Sequence, residues 1–225
     1  TQRVFRYSVT VLGRDATTTF GREFDPYVDR AHQDFLDRPA TSAELDRWSL
    51  QLASGLSRYS FVRDLSSSAA WTNTVIDKLY LDTLGRSADA EGRTYWARKL
   101  QTGTPVASVA AAFYGSPEYV QRKGATFEPW VADLYVVLLG RDADDAGLAY
   151  WAGLATSDGS GVVAYRLYQS QESRSGRVIE LYQRFLGRGP DAAGLAYWVE
   201  QLASGDDLAL AASLAASAEY GERGR

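Results

Sequence analysis

The 225-residue chain contains no Cys, no Met and a single His. Without Cys there are no disulfides, no thiolate nucleophile and no sulfur-ligated metal. That absence fits either side of a membrane and assigns no compartment. One imidazole, His32, cannot assemble a His-based metal site or a Ser-His-Asp triad. Without Met, a chain opening on Thr1 is expected to be a processed product or an excised fragment. No apolar run approaches the ~18 residues that a membrane span requires. The longest, Leu208 to Ala216, is short and interrupted by Ser213, so no transmembrane segment is expected. A basic block is also missing, and the formal net charge is −4. Phosphate backbones demand a concentrated basic face, so nucleic acid is not an expected partner. His-Glu-x-x-His and phosphate-binding Gly-Lys loops are absent too.

What is present is a repeat. Three marks recur in fixed order. Gly-Arg occurs at 85–86, 140–141 and 187–188, with Asp37-Arg38 as a degenerate copy. A Trp follows each Arg ten residues later: Trp48, Trp96, Trp151 and Trp198. A Ser with a Glu two residues on closes the set at Ser116-Glu118, Ser170-Glu172 and Ser217-Glu219, and Ser68 has lost its Glu. The Trp residues lie 48, 55 and 47 positions apart, the longer middle period reflecting an insertion around Gln121 to Phe127. The segments are read as an arm or truncated repeat over 1–24, a degenerate repeat over 25–75, and repeats over 76–123, 124–177 and 178–225. Val4 to Val11 is rich in β-formers, which suits a strand, whereas Leu12-Gly13-Arg14-Asp15 copies the end of a repeat helix.

Each unit reads as three helices. Helix A carries Val131, Leu134, Tyr135, Leu138 and Leu139 in one copy and Val178, Leu181, Tyr182, Phe185 and Leu186 in another, the stripe of an amphipathic helix. Gly140 and Gly187 stop it. An acidic loop leads to helix B, with Leu195, Trp198 and Leu202, ending near Gly205. Helix C places apolar pairs four apart, as in Phe61/Leu65, Val109/Phe113, Val163/Leu167 and Leu210/Leu214. Ser116-Pro117-Glu118 then has the composition of a helix start. Three short helices cannot bury their apolar faces alone. The predicted fold is therefore all-α, a tandem array of four three-helix repeats of about 48 residues sharing a continuous core. A compact chain of this length buries roughly 70% of its unfolded surface and needs no metal to fold.

These marks resemble a known family. The segments Leu181 to Arg188, Asp191 to Trp198 and Ser217 to Tyr220 are similar to the bacterial family catalogued as domain of unknown function 4214. Residues 76–225 carry the pattern well and 25–75 weakly. The resemblance implies a module of secreted or cell-surface proteins, including surface-layer proteins, and the Tyr…Leu-Gly-Arg pattern is also similar to helical phycobilisome linkers. Both settings imply assembly or attachment, with no catalytic residues to carry over. An extracellular or cell-surface setting follows as an expectation.

The candidate site residues follow from the marks. In the Tyr-Trp pairs at 95/96, 150/151 and 197/198, adjacent helical residues point about 100° apart. Both rings cannot face one core, so Trp is expected inside and Tyr95, Tyr150 and Tyr197 are candidates for a flat sugar-binding surface. Arg86, Arg141 and Arg188 lie at the C-terminal end of helix A, where a cation suits the dipole and can pair with a loop carboxylate. Their other use would be to recognise an acidic glycan. Asp142, Asp144 and Asp145 resemble a calcium ligand set, the alternative being one helix cap with solvated neighbours. No cofactor is otherwise expected. Paired carboxylates could serve a glycosidase, but these acidic residues recur at equivalent loop and cap positions, which an asymmetric active site would not do. The expected function is non-catalytic attachment to envelope polysaccharide, the alternative being a protein partner or self-association in a scaffold.

Overall fold

The structure, a computed structural model, describes residues 20–124 and 126–223. The choice between strand and truncated repeat for residues 4–15 falls outside the described residues. Unit 1 comprises α1 (Asp25–Leu36), α2 (Ser42–Ala53) and α3 (Arg58–Ser66). Unit 2 comprises α4 (Ala69–Leu84), α5 (Ala90–Gln101) and α6 (Val106–Tyr114). Unit 3 has an interrupted helix A, built from α7 (Pro117–Lys123), α8 (Phe127–Leu134) and a π-helical turn (Tyr135–Leu139). Its other helices are α9 (Asp145–Asp158) and α10 (Ser160–Tyr168). Unit 4 comprises α11 (Gln171–Leu186), α12 (Ala192–Gln201) and α13 (Asp207–Ala216), after which α14 (Ala218–Glu222) begins the pattern again. The fold is all-α, and no strand occurs among the described residues.

The repeated Ser is the hinge between units. Ser68, Ser116, Ser170 and Ser217 each accept from the N–H three residues on, at 3.1–3.2 Å, which is the geometry of a helix N-cap. By their helix caps the units divide at Ser68, Ser116 and Ser170, whereas the repeat starts expected at 76 and 178 fall inside α4 and α11. The reason is compositional. The opening turns of α11, Gln171 to Arg177, are polar, and the apolar stripe starts only at Val178. Helix A ends in a left-handed residue in all four units: Gly85 (φ 60°), Gly140 (φ 72°), Gly187 (φ 69°) and, without a glycine, Asp37 (φ 52°). Asp is among the few side chains that tolerate this conformation.

The units do not stack in chain order. The most extensive helix pairings are α6 with α10 and α3 with α13, so unit 2 pairs with unit 3 and unit 1 with unit 4. One buried cluster joins Phe35, Phe61 and Trp71 to Phe185 and Leu210. The other joins Ile76, Phe113, Trp130, Leu134 and Val163. The two meet at Val75 and Leu208, which pack against both. Small residues permit the close helix C pairing. A Cβ on Gly115 would lie 2.6 Å from the Cα of Gly161, and the Ser160 hydroxyl donates to the Gly115 carbonyl at 2.6 Å.

Of the four repeat-locked Trp residues only Trp48 is buried. Trp96, Trp151 and Trp198 are half-buried against the core, short of the full burial expected of them. Trp130, outside the marks, is fully enclosed and donates its indole N–H to the Tyr114 carbonyl at 2.7 Å. Trp130→Ala is expected to lower the unfolding free energy by about 3–5 kcal/mol, the range for a large buried aromatic. Trp198→Ala should lose less, about 1–3 kcal/mol, because part of its ring is already wet. Urea melts of the two variants check the order, and equal losses would contradict it.

Candidate binding surface

In units 2, 3 and 4 the three sequence marks close on one another. The Tyr of helix A (Tyr80, Tyr135, Tyr182) is buried, with its hydroxyl against the glycine at the start of helix B (Gly92, Gly147, Gly194). A Cβ on Gly147 or Gly194 would come within 2.6 or 2.9 Å of that hydroxyl, and Gly92 is blocked in the same way by Tyr80. The Arg of Gly-Arg then lies over the same Tyr ring, 5.0–5.6 Å from its centroid. From there it reaches the Glu that opens the following helix. Arg141 donates to Glu172 from Nε at 2.6 Å and Nη2 at 2.9 Å, and Arg188 to Glu219 at 2.5 and 2.7 Å. Arg86 makes the looser version with Glu118, both bonds at 3.4 Å.

The carboxylate partner of each Arg is therefore this remote Glu. Of the three, Arg86 also approaches a carboxylate of its own loop, Asp89 at 3.9 Å, whereas Arg141 and Arg188 donate to the loop carbonyls of Asp142 and Gly189 at 3.3 and 2.9 Å. The bidentate geometry orients the guanidinium, and its hydrogen bonds hold Glu172 and Glu219 below the usual carboxylate range. Such half-exposed pairs contribute little to stability, and their effect is to fix one unit's helix A to the start of the next.

The clamp of unit 1, which reaches into the start of α4, changes three residues together. His32 replaces the Tyr, Glu44 the Gly, and Ala70 the Glu. The smaller imidazole frees space that the Glu44 side chain occupies. Arg38 donates to Glu44 at 2.8 and 2.7 Å, and His32 Nε2 lies 3.6 Å from the same carboxylate. Glu44 also completes a capping box with Thr41. Arg38 first, then Thr41, holds its carboxyl well below the ordinary range. The carboxylate has moved from one end of the clamp to the other.

Tyr95, Tyr150 and Tyr197 stand outside the clamp. They are 55%, 59% and 53% exposed on α5, α9 and α12. Each ring meets the neighbouring Trp edge-on, with centroids 4.9–5.0 Å apart and planes at 76–81°. In unit 1 the position is Arg47, whose guanidinium lies 4.4 Å from the Trp48 ring centroid. Because the units pair 1 with 4 and 2 with 3, these Tyr residues do not follow one another up a linear stack.

The acidic loop is a cap. Asp144 accepts from the Gly147 N–H at 2.7 Å, as Asp89 and Asp191 do in their units. Among the described residues no three acidic or His side chains gather as a metal-holding group, so Asp142, Asp144 and Asp145 are not brought together as a calcium ligand set. No helix among them is long and apolar enough to cross a membrane.

A family model for a domain of unknown function, DUF4214, matches residues 10–75, 70–123, 110–174 and 163–223. The chain belongs to this family. Successive matches overlap around the capping Ser residues or just after them, at 70–75, 110–123 and 163–174. No curated protein and no solved structure matches the chain.

The clamp predicts coupled substitutions in unit 1. His32→Tyr alone should destabilise, because the added hydroxyl meets Glu44. Glu44→Gly alone should destabilise by stranding Arg38. The double variant should recover, with a coupling of roughly 1–3 kcal/mol, and Ala70→Glu should recover more by supplying Arg38 with its carboxylate. Strictly additive losses in denaturant melts would refute the clamp. A pH dependence follows as well. Glu172 and Glu219 titrate lower folded than their ordinary value of 4.5, so their contribution is present above that value. It is lost as pH falls through the folded value. Glu172→Gln with Glu219→Gln should therefore flatten the acid limb of a stability–pH curve measured from pH 5 downward.

Proposed function

We propose that the chain is a non-catalytic attachment module of a larger extracellular or cell-surface protein, contacting envelope glycan through Tyr95, Tyr150 and Tyr197. The observation that carries this reading is the repeated dyad, an exposed Tyr ring braced edge-on by a half-buried Trp of the same helix. An exposed Tyr gives a rigid amphipathic contact at little entropic cost. The fold does not require it, since unit 1 carries Arg47 in its place. Three weak sites on one rigid body gain strength by effective concentration, without a deep pocket. Arg86, Arg141 and Arg188 act in the clamp and leave the glycan contact to the Tyr rings.

Protein scaffolding is the second reading, and exposed Leu81, Val136, Val137 and Ile179 favour it. The discriminating experiment is a pull-down of wild type and the Tyr95→Ala/Tyr150→Ala/Tyr197→Ala variant on isolated envelope polysaccharide. The variant should keep its melting temperature within a few degrees and lose most retention, each single change losing a modest part. Equal retention of both proteins would remove the Tyr rings from the site and leave scaffolding as the better account.

A further inference from the structure

The four C-terminal ends of helix A are not treated alike. In unit 2, Arg122 reaches back from α7 to donate to the Thr83 carbonyl at 3.1 Å, its guanidinium against Gly85. In unit 4, Arg223 donates to the Arg184 and Phe185 carbonyls at 3.1 and 2.6 Å, against Gly187. Both Arg residues stand six positions after the capping Ser. For the end of helix A in unit 1 that position is Thr74 of α4, and Arg184 fills the space from α11, donating to the Asp34 carbonyl at 2.7 Å and to Asp37. Three helix ends thus receive a guanidinium on carbonyls that the helix leaves unpaired.

Unit 3 receives none. Its equivalent residue is Gly176, and a Cβ on Gly140 would meet nothing within 4 Å, where Gly85 and Gly187 each meet a guanidinium. The space is a cleft of about 430 Å³, bordered by the π-helical turn on one side and by α4 and α11 on the others. Val137 and Leu138, which correspond to the residues whose carbonyls accept from Arg122 and Arg223 in units 2 and 4, line it together with Gly140 and Gly176. Among the described residues no side chain donates to either carbonyl.

Two further observations point to an occupant. Trp71 lines the cleft at 6% exposure, and its indole N–H has no acceptor. On the walls, Lys78, Arg177 and Arg184 are paired with Asp82, Asp207 and Asp37, and Glu172 with Arg141. Glu180, at the exposed rim, makes no hydrogen bond or close ion pair among the described residues; the one lining cation whose charge it supports, Lys78, is already bonded to Asp82, so the charge without a direct partner is negative.

We infer that this cleft binds an alkylguanidinium group, seated on the end of the unit 3 helix as Arg122 and Arg223 are on theirs. Glu180 supplies counter-charge at the rim, and Trp71 donates to an acceptor carried beside the cation. A peptide arginine brings such an acceptor in its own backbone; a free alkylguanidine does not. This inference is independent of the Tyr surface.

The test uses calorimetry on the full chain with Ac-Ala-Arg-Ala-NH2, its neutral citrulline isostere, and butylguanidinium. The Arg peptide should bind at least tenfold more tightly than the citrulline peptide, and Glu180→Gln should weaken it severalfold. Tighter binding of peptide than of butylguanidinium assigns the site to a polypeptide segment, and equal binding assigns it to a small cation. Gly176→Arg should fill the cleft from within, raise the melting temperature above that of Gly176→Gln, and abolish peptide binding. Binding of Arg and citrulline peptides with equal affinity, or of neither, overturns the inference. So does peptide binding that survives Gly176→Arg. Should that variant fail to fold, the charge comparison and Glu180→Gln on the native chain still decide.

Discussion

Everything in this molecule depends on the close approach of two helices C. A unit of three short helices has one apolar face and too little core to cover it. Packing one unit's helix C on another's covers both faces, and the Ala-rich α6 and α13 together with Gly161 of α10 make that approach close. Gly115 against Gly161 is its tightest point, with no room for a side chain. The pairing is nested, inner units together and outer units together, so the first and last units cover each other's apolar faces. A linear solenoid would leave two exposed ends and require capping repeats. Here Tyr27 of α1 donates to the Ala215 carbonyl at 3.0 Å and Tyr220 to Asp34 at 2.8 Å, tying the outer pair across nearly the whole sequence.

The repeat, its helices and their caps were legible in sequence because each depends on neighbours within one turn. Gly in a left-handed cap, Asp and Ser at N-caps and the apolar stripe of helix A are local demands, and the structure meets them where the residues stand. The order of pairing was not legible. All four units carry the same apolar face, so periodicity alone cannot say which face meets which. The partners of the repeated Arg were hidden for a related reason. Sequence spacing suggested a loop carboxylate three residues away, whereas the Glu that receives each guanidinium lies 31 or 32 residues on. The signal that points to it is joint loss: unit 1, which lacks the Gly of Gly-Arg, also lacks the Glu after Ser68.

The candidate surface divides along the same line. That Tyr and Trp must face different ways is helix geometry, and the three Tyr residues are the exposed members. How deep the Trp sits is tertiary. In units 2 to 4 the Trp of helix B covers the core edge and remains half wet, whereas Trp48 of unit 1 is buried. The acidic loop illustrates the reverse ambiguity. Three aspartates within four residues resemble a ligand set in sequence, but one carboxylate turns back to cap helix B and the ring of oxygens does not form.

Departures from a repeat carry information that its agreements cannot. Asp37 leaves the glycine position but still adopts the left-handed cap. His32, Glu44 and Ala70 change together, and the charge pair re-forms inside the unit. Thr74 omits a guanidinium that Arg184 supplies from elsewhere. Each of these departures is answered by another residue of the same chain, as expected where the fold itself demands the contact. Gly176 is not answered. The substitution removes an arginine without a replacement and places the gap at a π-helical turn, a geometry that recurs at functional sites. A repeat built to close this space twice with its own side chains, and a third time with a borrowed one, has left it open once.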